Sequence, residues 1–450
     1  NLGLKRLAWV RLGVQMTDIT ELIGSGKKQK SMASVPVAQV APYAVADVDM
    51  TLRLAPLLHA ELMQKNTLNL LLDLELPLIP VLAEMEMTGV LLDAEFLGGL
   101  SLELENQTKS LREEVVLAVG YEFNLNSTQQ LSKALFDSLG LVAPRGTRRT
   151  ASGHYSTAAS VLDELSGDHQ VVRKILEYRE LAKLQSTYVQ ALPAAINSES
   201  GRVHTSYNQS GTVTGRLASS NPNLQNIPIR TDIGRQVRRA FIAPPGRKLV
   251  AIDYSQIELR VAAHVSGDEF LRQAFAEDKD IHAATAAAVF NVSLDAVTSE
   301  QRRQAKMVNF GILYGMGAFR LADRTGITLG EAEEFIEAYF ARLPGVMGYL
   351  EDTKAQAHRE GFVETLLGRR RYFPMLGEGA AMTQDHHSRT RAEREAINAP
   401  IQGTAADIIK LAMIELWSQL PGLLPGARML MQVHDELVFE CDAQNATELA

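Results

Sequence analysis

The chain has 450 residues, of which 46% are hydrophobic, and a formal net charge of −8. This length is enough for about three domains with separate cores, which excludes a disordered tail or a small disulfide scaffold. The one cysteine, Cys441, leaves no internal disulfide and no cysteine-based metal site. The most apolar stretch, residues 68–87, carries four carboxylates and is not expected to span a membrane. Because the sequence starts at Asn1 without a methionine, we expect a piece of a longer protein.

Helical patterns are predicted for most of the chain. Residues 1 to about 66 read as a helical piece, and residues 67 to about 190 as an elongated arm of amphipathic helices broken by the polar loop 143–154. Helices are predicted again over residues 266–399.

Strand signals occupy the remaining segments. Between residues 191 and 265, turn residues flank a compact apolar run, 249–252, that predicts a buried strand. Near the end, the apolar stretches 428–433 and 437–440 flank His434-Asp435-Glu436, a pattern typical of a β-hairpin.

Basic residues are concentrated in one segment of this acidic chain. Residues 201–250 hold eight Lys and Arg but one acidic residue, Asp232. The overall acidity counts against a nucleic-acid partner. A local basic surface nevertheless suits a protein that grips a polyanion on one face.

Two carboxylates follow the predicted strands. Asp253 ends the apolar run, and Asp435 lies at the predicted hairpin tip. Taken alone, Asp253 could cap the following helix and Asp435 could be a solvated turn residue. Together, on neighbouring strand ends, they could hold two Mg²⁺ ions about 3.5–4 Å apart, the arrangement used in phosphoryl transfer.

A stripe of cations and aromatic rings is predicted on one helix, residues 299–314. Its members recur at steps of four and are Arg302, Lys306, Phe310 and Tyr314. Eight residues of helix span about 12 Å, roughly the reach of a nucleoside triphosphate from terminal phosphate to base. An ordinary amphipathic helix is the alternative, but Gly311 and Gly315 weaken the helix and indicate close approach by another group.

Amide and guanidinium side chains recur in two further places. One is the turn-rich stretch 214–228, and the other comprises Arg394, Asn398 and Gln402. Such donors can reach the acceptors that the DNA minor groove shows at every base pair. A solvated polar face is the alternative for either group taken alone.

Taken together, these stretches resemble the family A DNA polymerases. Residues 253–260 (DYSQIELR) resemble motif A of that family, residues 302–315 (RRQAKMVNFGILYG) motif B, and residues 432–436 (QVHDE) motif C. Between the motifs, 214–217 (TGRL), 223–228 (NLQNIP) and 402–407 (QGTAAD) extend the resemblance. Single-subunit RNA polymerases share the ground plan but carry Met-Thr in place of Phe310-Gly311, so DNA synthesis is favoured.

The resemblance implies an α+β multidomain fold shaped as a right hand, with helical thumb and fingers and an antiparallel-sheet palm. A remnant of an RNase H-like exonuclease domain would precede it. The implied boundaries are 1–66 for the exonuclease remnant, 67–190 for the thumb, 191–265 for the first part of the palm, 266–399 for the fingers, and 400–450 for the second part of the palm.

The resemblance also implies a role for individual residues. Catalysis would fall to Asp253, Asp435, Glu436 and Lys306, with two Mg²⁺ ions held by Asp253, Asp435 and the carbonyl of Tyr254. The dNTP would be bound by Arg302, Lys306, Phe310, Tyr314, Glu258, His282 and Gln256, with Glu258 excluding a ribose 2′-hydroxyl. Primer-template DNA would be contacted by Arg216, Asn226, Arg394, Asn398, Gln402, His434, Lys183, Ser186 and Thr187.

The arm fits a DNA-holding thumb by the same resemblance. Residues 123–127 (FNLNS) and 183–188 (KLQSTY) are similar to thumb segments. Phosphate contacts or a merely solubilising loop remain open for Arg145, Arg148 and Arg149.

The implied activity is template-directed DNA synthesis in replication and repair, by a cytoplasmic, nucleoid-associated monomer that binds primer-template DNA and dNTP and no membrane. Two alternatives remain open: a DNA-binding module without catalysis and a two-metal nuclease. A nuclease has no use for a triphosphate-binding stripe, and lengthening rather than shortening of a primer distinguishes the two enzymes.

Two departures from the family pattern give further expectations. Residues 43–47 (YAVAD) with Asp49 resemble the last motif of a 3′–5′ exonuclease, whose first two carboxylate motifs should precede residue 1, so no complete exonuclease site is expected here. The family's palm continues further than 14 residues beyond Glu436, so we expect the sheet that carries Asp435 to lack a supporting edge.

Overall fold

A computed structural model describes residues 3–144, 146–167, 169–228, 231–377 and 386–450. The first region is helical, as predicted, and its helices are α1 (Leu4–Leu7), α2 (Ile19–Ile23) and α3 (Val37–Gln64). Asp18 and Glu21 form a capping box that starts α2. Among the described residues, no helix is long and apolar enough to cross a membrane.

The segment after α3 packs against the later parts of the chain rather than in the arm. It contains α4 (Leu68–Leu70), a π-helical turn over Leu71–Glu75, α5 (Leu76–Thr88) and β1 (Val90–Leu92). Leu78, Val81 and Met85 of α5 belong to the largest hydrophobic core. The arm predicted from residue 67 therefore begins only after β1, because the apolar face of α5 is buried in that core.

The arm consists of helices that pack mainly on one another. They are α6 (Ala94–Val119), α7 (Thr128–Ser132), α8 (Ala159–Ser166), α9 (Gln170–Leu184) and α10 (Ala191–Ala194). Leu131, Leu162 and Ile175 centre a separate small core there. The predicted polar loop lies between α7 and α8, and Arg145 falls outside the described residues.

Short strands dominate the next segment. They are β2 (Arg202–Val203), β3 (Ser206–Asn208), β4 (Ala218–Ser220), β5 (Phe241–Ile242) and β6 (Arg247–Asp253), with α11 (Asp232–Arg239) between β4 and β5. β1 lies between β2 and β5 in one antiparallel sheet, and β3 pairs with β4. The base of the arm is thereby tied to the strand-rich segment.

Helices resume as predicted and surround the largest core. They are α12 (Ile257–Ser266), α13 (Glu269–Ala276), α14 (Ile281–Phe290), α15 (Ser299–Leu313), α16 (Ala318–Thr325), α17 (Leu329–Arg342) and α18 (Pro344–Glu360). The prediction of helices over 266–399 was wrong at one place: a hairpin of β7 (Phe362–Glu364) and β8 (Arg370–Tyr372) lies within that range and precedes α19 (His386–Leu423).

The predicted C-terminal hairpin is present as β9 (Arg428–Val433) and β10 (Glu436–Asp442), followed by α20 (Ala446–Leu449). β10 lies between β6 and β9 in an antiparallel sheet. The prediction that 249–252 is buried was wrong: Ala251 is exposed and its neighbours are half-buried. The reason is that β6 is an edge strand of this sheet, with β10 on one side only.

Candidate active site

Two strand ends bring the predicted aspartates to one edge of the β6–β10–β9 sheet. Asp253, the last residue of β6, pairs in register with Glu436, the first residue of β10. Asp435 lies directly before Glu436 at the hairpin tip, and its carbonyl oxygen accepts a 3.1 Å hydrogen bond from the Tyr254 amide. Asp253, Asp435 and Glu436 therefore share one edge, although they are about 180 residues apart in the sequence.

Two residues with an unusual backbone conformation lie near the aspartates in the sequence: Gln256, three residues after Asp253, and His434, directly before Asp435. Gln256 and His434 each have a φ of 56°, in the left-handed region that non-glycine residues seldom occupy. Such outliers collect at functional sites, where surrounding contacts hold them in place. The Gln256 Oε1 atom is also buried without a hydrogen-bond partner among the described residues. These features make this edge a candidate ligand site.

The negative charge at this edge suits a cation. Partial desolvation, together with the charges of Asp435 and Glu436, raises the pKa of Asp253 above its ordinary value of 3.8. Among the described residues, Glu436 is paired with Arg238 at 3.3 Å, whereas neither aspartate has an ion-pair partner. Carboxylate and carbonyl oxygens are the ligands that Mg²⁺ prefers, so the two aspartates and the Tyr254 carbonyl fit that ion.

The same edge is not a complete metal cage. In the described parts of the chain, no group of three or more His, Cys, Asp or Glu side chains could hold a metal ion. Mg²⁺ usually keeps several waters and takes one or two protein carboxylates plus substrate phosphates. The arrangement is thus compatible with a metal that is completed by its substrate.

The predicted stripe lies on α15, which starts at a capping box of Thr298 and Gln301. Arg302 donates from Nε to Asp280 at 2.7 Å, so this cation is already paired. Lys306 is exposed and, within the described residues, has no ion-pair partner. The stripe therefore combines one restrained and one free cation.

The aromatic half of the stripe contacts two other predicted residues. The Phe310 ring lies 5.6 Å from the His282 ring, between centroids. Burial is the main reason that the pKa of His282 falls to about 4; Lys306 and Arg302 lower it further, and Asp280 opposes them. His282 is therefore neutral at pH 7.

Two glycines of the stripe are crowded by residues of this chain. A Cβ atom on Gly311 would lie 1.9 Å from Cε of Met316, and one on Gly315 would lie 2.5 Å from Cγ of Arg394. Gly315 also has a φ of 67°. The close approach that these glycines predicted is thus made by Met316 and Arg394.

Glu258 joins the end of α15 to the carboxylate edge. Its Oε1 accepts from Arg216 at 2.5 Å, and its Oε2 accepts from the Tyr314 hydroxyl. Burial and the Glu258 charge raise the pKa of Tyr314, which keeps its hydroxyl protonated as a donor. A cavity of about 50 Å³ is lined by Arg216 and Glu258 together with His434 and Asp435. Four predicted residues from three chain segments therefore meet at one cavity.

The remaining DNA-binding candidates are spread over two elements and a turn. Arg394, Asn398 and Gln402 recur at steps of four on α19, and Asn398 Oδ1 is buried without a partner among the described residues. Lys183 is exposed in the last turn of α9, and Ser186 and Thr187 are exposed in the π-helical turn Gln185–Val189 that follows it. Asn226 is exposed, and its carbonyl accepts from the Tyr188 hydroxyl. Among the described residues, none of these three α9-side candidates hydrogen-bonds or ion-pairs with Asp253, Asp435 or Glu436.

Several basic residues of the segment 201–250 form ion pairs within the chain, so fewer positive charges are available to a polyanion than the composition predicts. Arg202 and Arg247 both pair with buried Glu440, at 2.9 and 3.3 Å, and Arg235 pairs with Asp232. Arg230 lies outside the described residues. These three paired arginines are therefore compensated by carboxylates of this chain. In the arm, Arg149 is likewise used locally, over the Tyr155 ring at 4.1 Å.

Sequence reasoning missed several residues of the site. Gln225 donates a 3.0 Å hydrogen bond to Gln432 Oε1, and both side chains line the same cavity as Glu258 and Asp435. Asp280 accepts from Arg302 and caps α14, and Asn309 contacts His282. The signal for Asn309 and Gln432 was their position inside motifs B and C, but nothing in the spacing of Asp280 indicated its partner.

Comparison with known proteins decides the family. Residues 94–450 match the model of DNA polymerase family A. The chain belongs to this family. It is 49% identical over 443 residues to DNA polymerase I of Pseudomonas aeruginosa, and this match covers 96% of this chain and 47% of that protein. It is 51% identical over 378 residues to the thermostable DNA polymerase I of Thermus aquaticus, covering 84% of this chain and 44% of that protein.

A solved structure gives the same answer for the fold. The POL domain of Pol1 from M. smegmatis, in complex with DNA primer-template and dNTP, matches this family A chain with a TM-score of 0.87 and 38% identity. The match covers 100% of this chain and 74% of that one. The family predicted from the three motifs is confirmed, and the chain spans about half the length of the curated relatives it matches.

Proposed function

We propose that this chain extends a DNA primer by template-directed addition of deoxynucleotides. The observation that carries the proposal is the pair of hydrogen bonds that Glu258 accepts from Arg216 and Tyr314. These bonds hold Tyr314, the last residue of the α15 stripe, beside the cavity that Asp435 lines. The row of cations and aromatic rings on α15, which is about as long as a nucleoside triphosphate, thus ends close to the edge that carries Asp253 and Asp435. The similarity to a POL domain that was solved with primer-template and dNTP supports the same partners here.

The hand architecture is part of the proposal. The arm would be the thumb within 67–190, the sheet segments 191–265 and 400–450 the palm, and the helices of 266–399 the fingers. Residues 1–66 would be the end of an exonuclease-like domain. The segment 43–49 that suggests this domain lies on α3, where Lys5 lies over the Tyr43 ring and Asp49 pairs with Arg53.

The chain's own residues would bind and orient the nucleotide. Lys306 and Arg302 would pair with the triphosphate, and Arg302 would exchange Asp280 for phosphate oxygens. Phe310 would lie against the sugar, and Glu258 would occupy the space of a ribose 2′-hydroxyl. The α19 row and Arg216 would contact the DNA near the primer end.

The reacting groups would meet at the carboxylate edge. Asp253, Asp435 and the Tyr254 carbonyl would hold Mg²⁺, with Glu436 assisting. When bound, the two metal ions would activate the primer 3′-hydroxyl and stabilise charge on the leaving pyrophosphate. Lys306 would donate a proton to that leaving group.

A primer-extension assay tests the proposal. A labelled primer-template is incubated with Mg²⁺ and four dNTPs, beside Asp253→Ala and the control Asp352→Ala, which removes an exposed carboxylate from α18. We expect template-dependent lengthening that Asp253→Ala loses and Asp352→Ala keeps, while both variants still bind duplex DNA. Binding without extension in the parent chain would favour a non-catalytic DNA-binding module, and shortening of the primer would favour a nuclease.

A further inference from the structure

Asn309 is a fully buried amide on α15 whose contacts are not explained by packing alone. Its Nδ2 atom lies 3.1 Å from Nδ1 of His282 and 3.1 Å from Oγ1 of Thr285, both on α14. All three side chains are buried, with exposed fractions of 0% for Asn309 and Thr285 and 3% for His282. The two hydrogens of the Asn309 amide therefore each have one acceptor within reach, Nδ1 of His282 and Oγ1 of Thr285.

Thr285 fixes which amide atom faces the histidine. Its hydroxyl donates to the carbonyl of Ile281 at 2.7 Å, so the single proton of that hydroxyl is already used. The Thr285 oxygen can then only accept, which requires the NH₂ side of Asn309 opposite it. The reversed amide would place two acceptor oxygens 3.1 Å apart and leave buried N–H groups without partners.

The orientation of Asn309 determines the chemistry of the ring. An amide N–H that points at Nδ1 of His282 requires a lone pair there, so the single proton of the neutral ring lies on Nε2. No described residue accepts the Nε2 hydrogen of His282. We propose that Asn309 is a positioning residue that holds His282 as the neutral Nε2–H tautomer, so that the ring offers a hydrogen-bond donor to the triphosphate.

This inference rests on the proposed function, because the acceptor is the dNTP that α15 would bind. Phosphate oxygens only accept hydrogen bonds, so the opposite tautomer would turn a lone pair towards them. Arg302 and Lys306 already supply charge around His282, and Asp280 is the anion near it. A neutral His282 ring with a fixed tautomer would add one directed hydrogen bond to the triphosphate and no further positive charge.

The tautomer is measured directly by NMR of ¹⁵N-histidine-labelled protein without DNA or nucleotide. The chain has ten histidines, so the signals of His282 are identified by their loss in His282→Gln. At pH 7 we expect a protonated Nε2 and an unprotonated Nδ1 at His282. A proton on Nδ1, alone or together with one on Nε2, would overturn the inference.

Variants separate this role from a structural one. Thr285→Val removes the acceptor that orients the amide, and we expect part of the population to move its proton to Nδ1. Thr285→Ser keeps the hydroxyl and should keep the parent signature. An unchanged tautomer in Thr285→Val would contradict the orientation argument, and a shifted tautomer in Thr285→Ser would do the same.

Asn309→Asp gives a kinetic readout that lost packing would not produce. The new carboxylate accepts from Nδ1, so His282 keeps both protons at low pH and loses the one on Nε2 as pH rises. We therefore expect the KM for dNTP to rise roughly tenfold with pH in this variant, about the worth of one hydrogen bond to a charged group, with little change in kcat. If the KM for dNTP of Asn309→Asp depended on pH in the same way as that of the parent chain, the inference would be overturned. Because the NMR measurement needs no turnover, a chain that lacks polymerase activity but shows the Nε2–H signature would refute the proposed function alone.

Discussion

Glu258 is a single residue on which two parts of the site depend. Its two carboxylate oxygens accept separately from Arg216 and Tyr314. Under the proposed function we expect Glu258→Ala to admit ribonucleotides roughly tenfold more readily, because it vacates the space of the 2′-hydroxyl and releases the Tyr314 ring. The ratio of rNTP to dNTP incorporation in single-nucleotide extension measures this effect.

Glu258→Gln is the matched control for that prediction. It fills the same space but can no longer pair electrostatically with Arg216. We expect it to retain discrimination against ribonucleotides while total extension falls. Equal discrimination in the parent and in Glu258→Ala would show that Glu258 does not exclude the 2′-hydroxyl.

His282 gives a prediction about pH and stability. Burial first, then Lys306 and Arg302, lower its pKa from 6.5 to about 4. In that window the unfolded chain binds more protons at this position than the folded chain, so the contribution of His282 to stability falls as pH decreases from 6.5 to about 4. Above 6.5 both states are neutral and this dependence ends.

The measurement compares thermal unfolding of the parent chain and His282→Gln from about pH 7 to about pH 4. All other titrating groups are shared, so they cancel in the difference between the two melting temperatures. We expect the parent chain to lose melting temperature relative to the variant as pH falls. Parallel curves would show that His282 is protonated as readily in the folded chain as in the unfolded one.

At the scale of elements, Asp280 connects α14 with α15. Its Oδ1 accepts from the amides of His282 and Ala283 at the start of α14, and its Oδ2 pairs with Arg302 of α15. A triphosphate would have to displace this carboxylate from Arg302. Asp280 therefore both orders the pair of helices and competes for the cation.

Two substitutions at Asp280 separate these effects. Asp280→Asn keeps an N-cap oxygen but removes the negative charge, so we expect little change in melting temperature and a KM for dNTP that is lowered about two- to fivefold, since the pair is exposed and worth at most about 1 kcal/mol. Asp280→Ala also loses the cap and should destabilise the chain by about 1 kcal/mol. A raised KM in Asp280→Asn would mean that Asp280 positions Arg302 instead of competing for it.

Element by element, the sequence predicted what is encoded locally. The period of four placed the Arg302 stripe on one helix, and the two apolar stretches that flank Asp435 predicted the hairpin. The exposure of β6 was mispredicted because an apolar run does not tell whether its strand has one neighbour or two. The partners of Arg302 and Glu258 lie 22 and 42 or more residues away, a separation at which residue spacing carries no information about contact.

At the scale of the whole molecule, a buried ionic network joins three distant segments. Arg369, in the β7–β8 turn, donates from Nε to Asp407 of α19 at 2.8 Å and from Nη2 to Glu75 before α5. Lys410 donates to Glu75 at 2.7 Å, and Thr365 donates to Asp407 at 2.8 Å. Of these, Asp407 and Lys410 are 0% and 1% exposed. Their charges must therefore be compensated within the network.

The network predicts an asymmetry between neighbouring arginines. Arg369→Leu leaves the buried carboxylate of Asp407 without its cation, which should cost about 3–5 kcal/mol and, in a chain of 450 residues, lower the melting temperature by about 3–5 °C. Arg370→Leu is the control, because the partner of Arg370, Glu364, is largely exposed and such pairs contribute about 1 kcal/mol or less.

A double variant, Arg369→Leu with Asp407→Leu, tests the cause. Removing both charges eliminates the unpaired carboxylate, so we expect much of the lost melting temperature to return, even though Glu75 then keeps, of its partners in the described part of the chain, Lys410 and Gln209. If the double variant were as unstable as the sum of the two single variants, the loss would come from packing at the junction of the three segments and not from a buried unpaired charge.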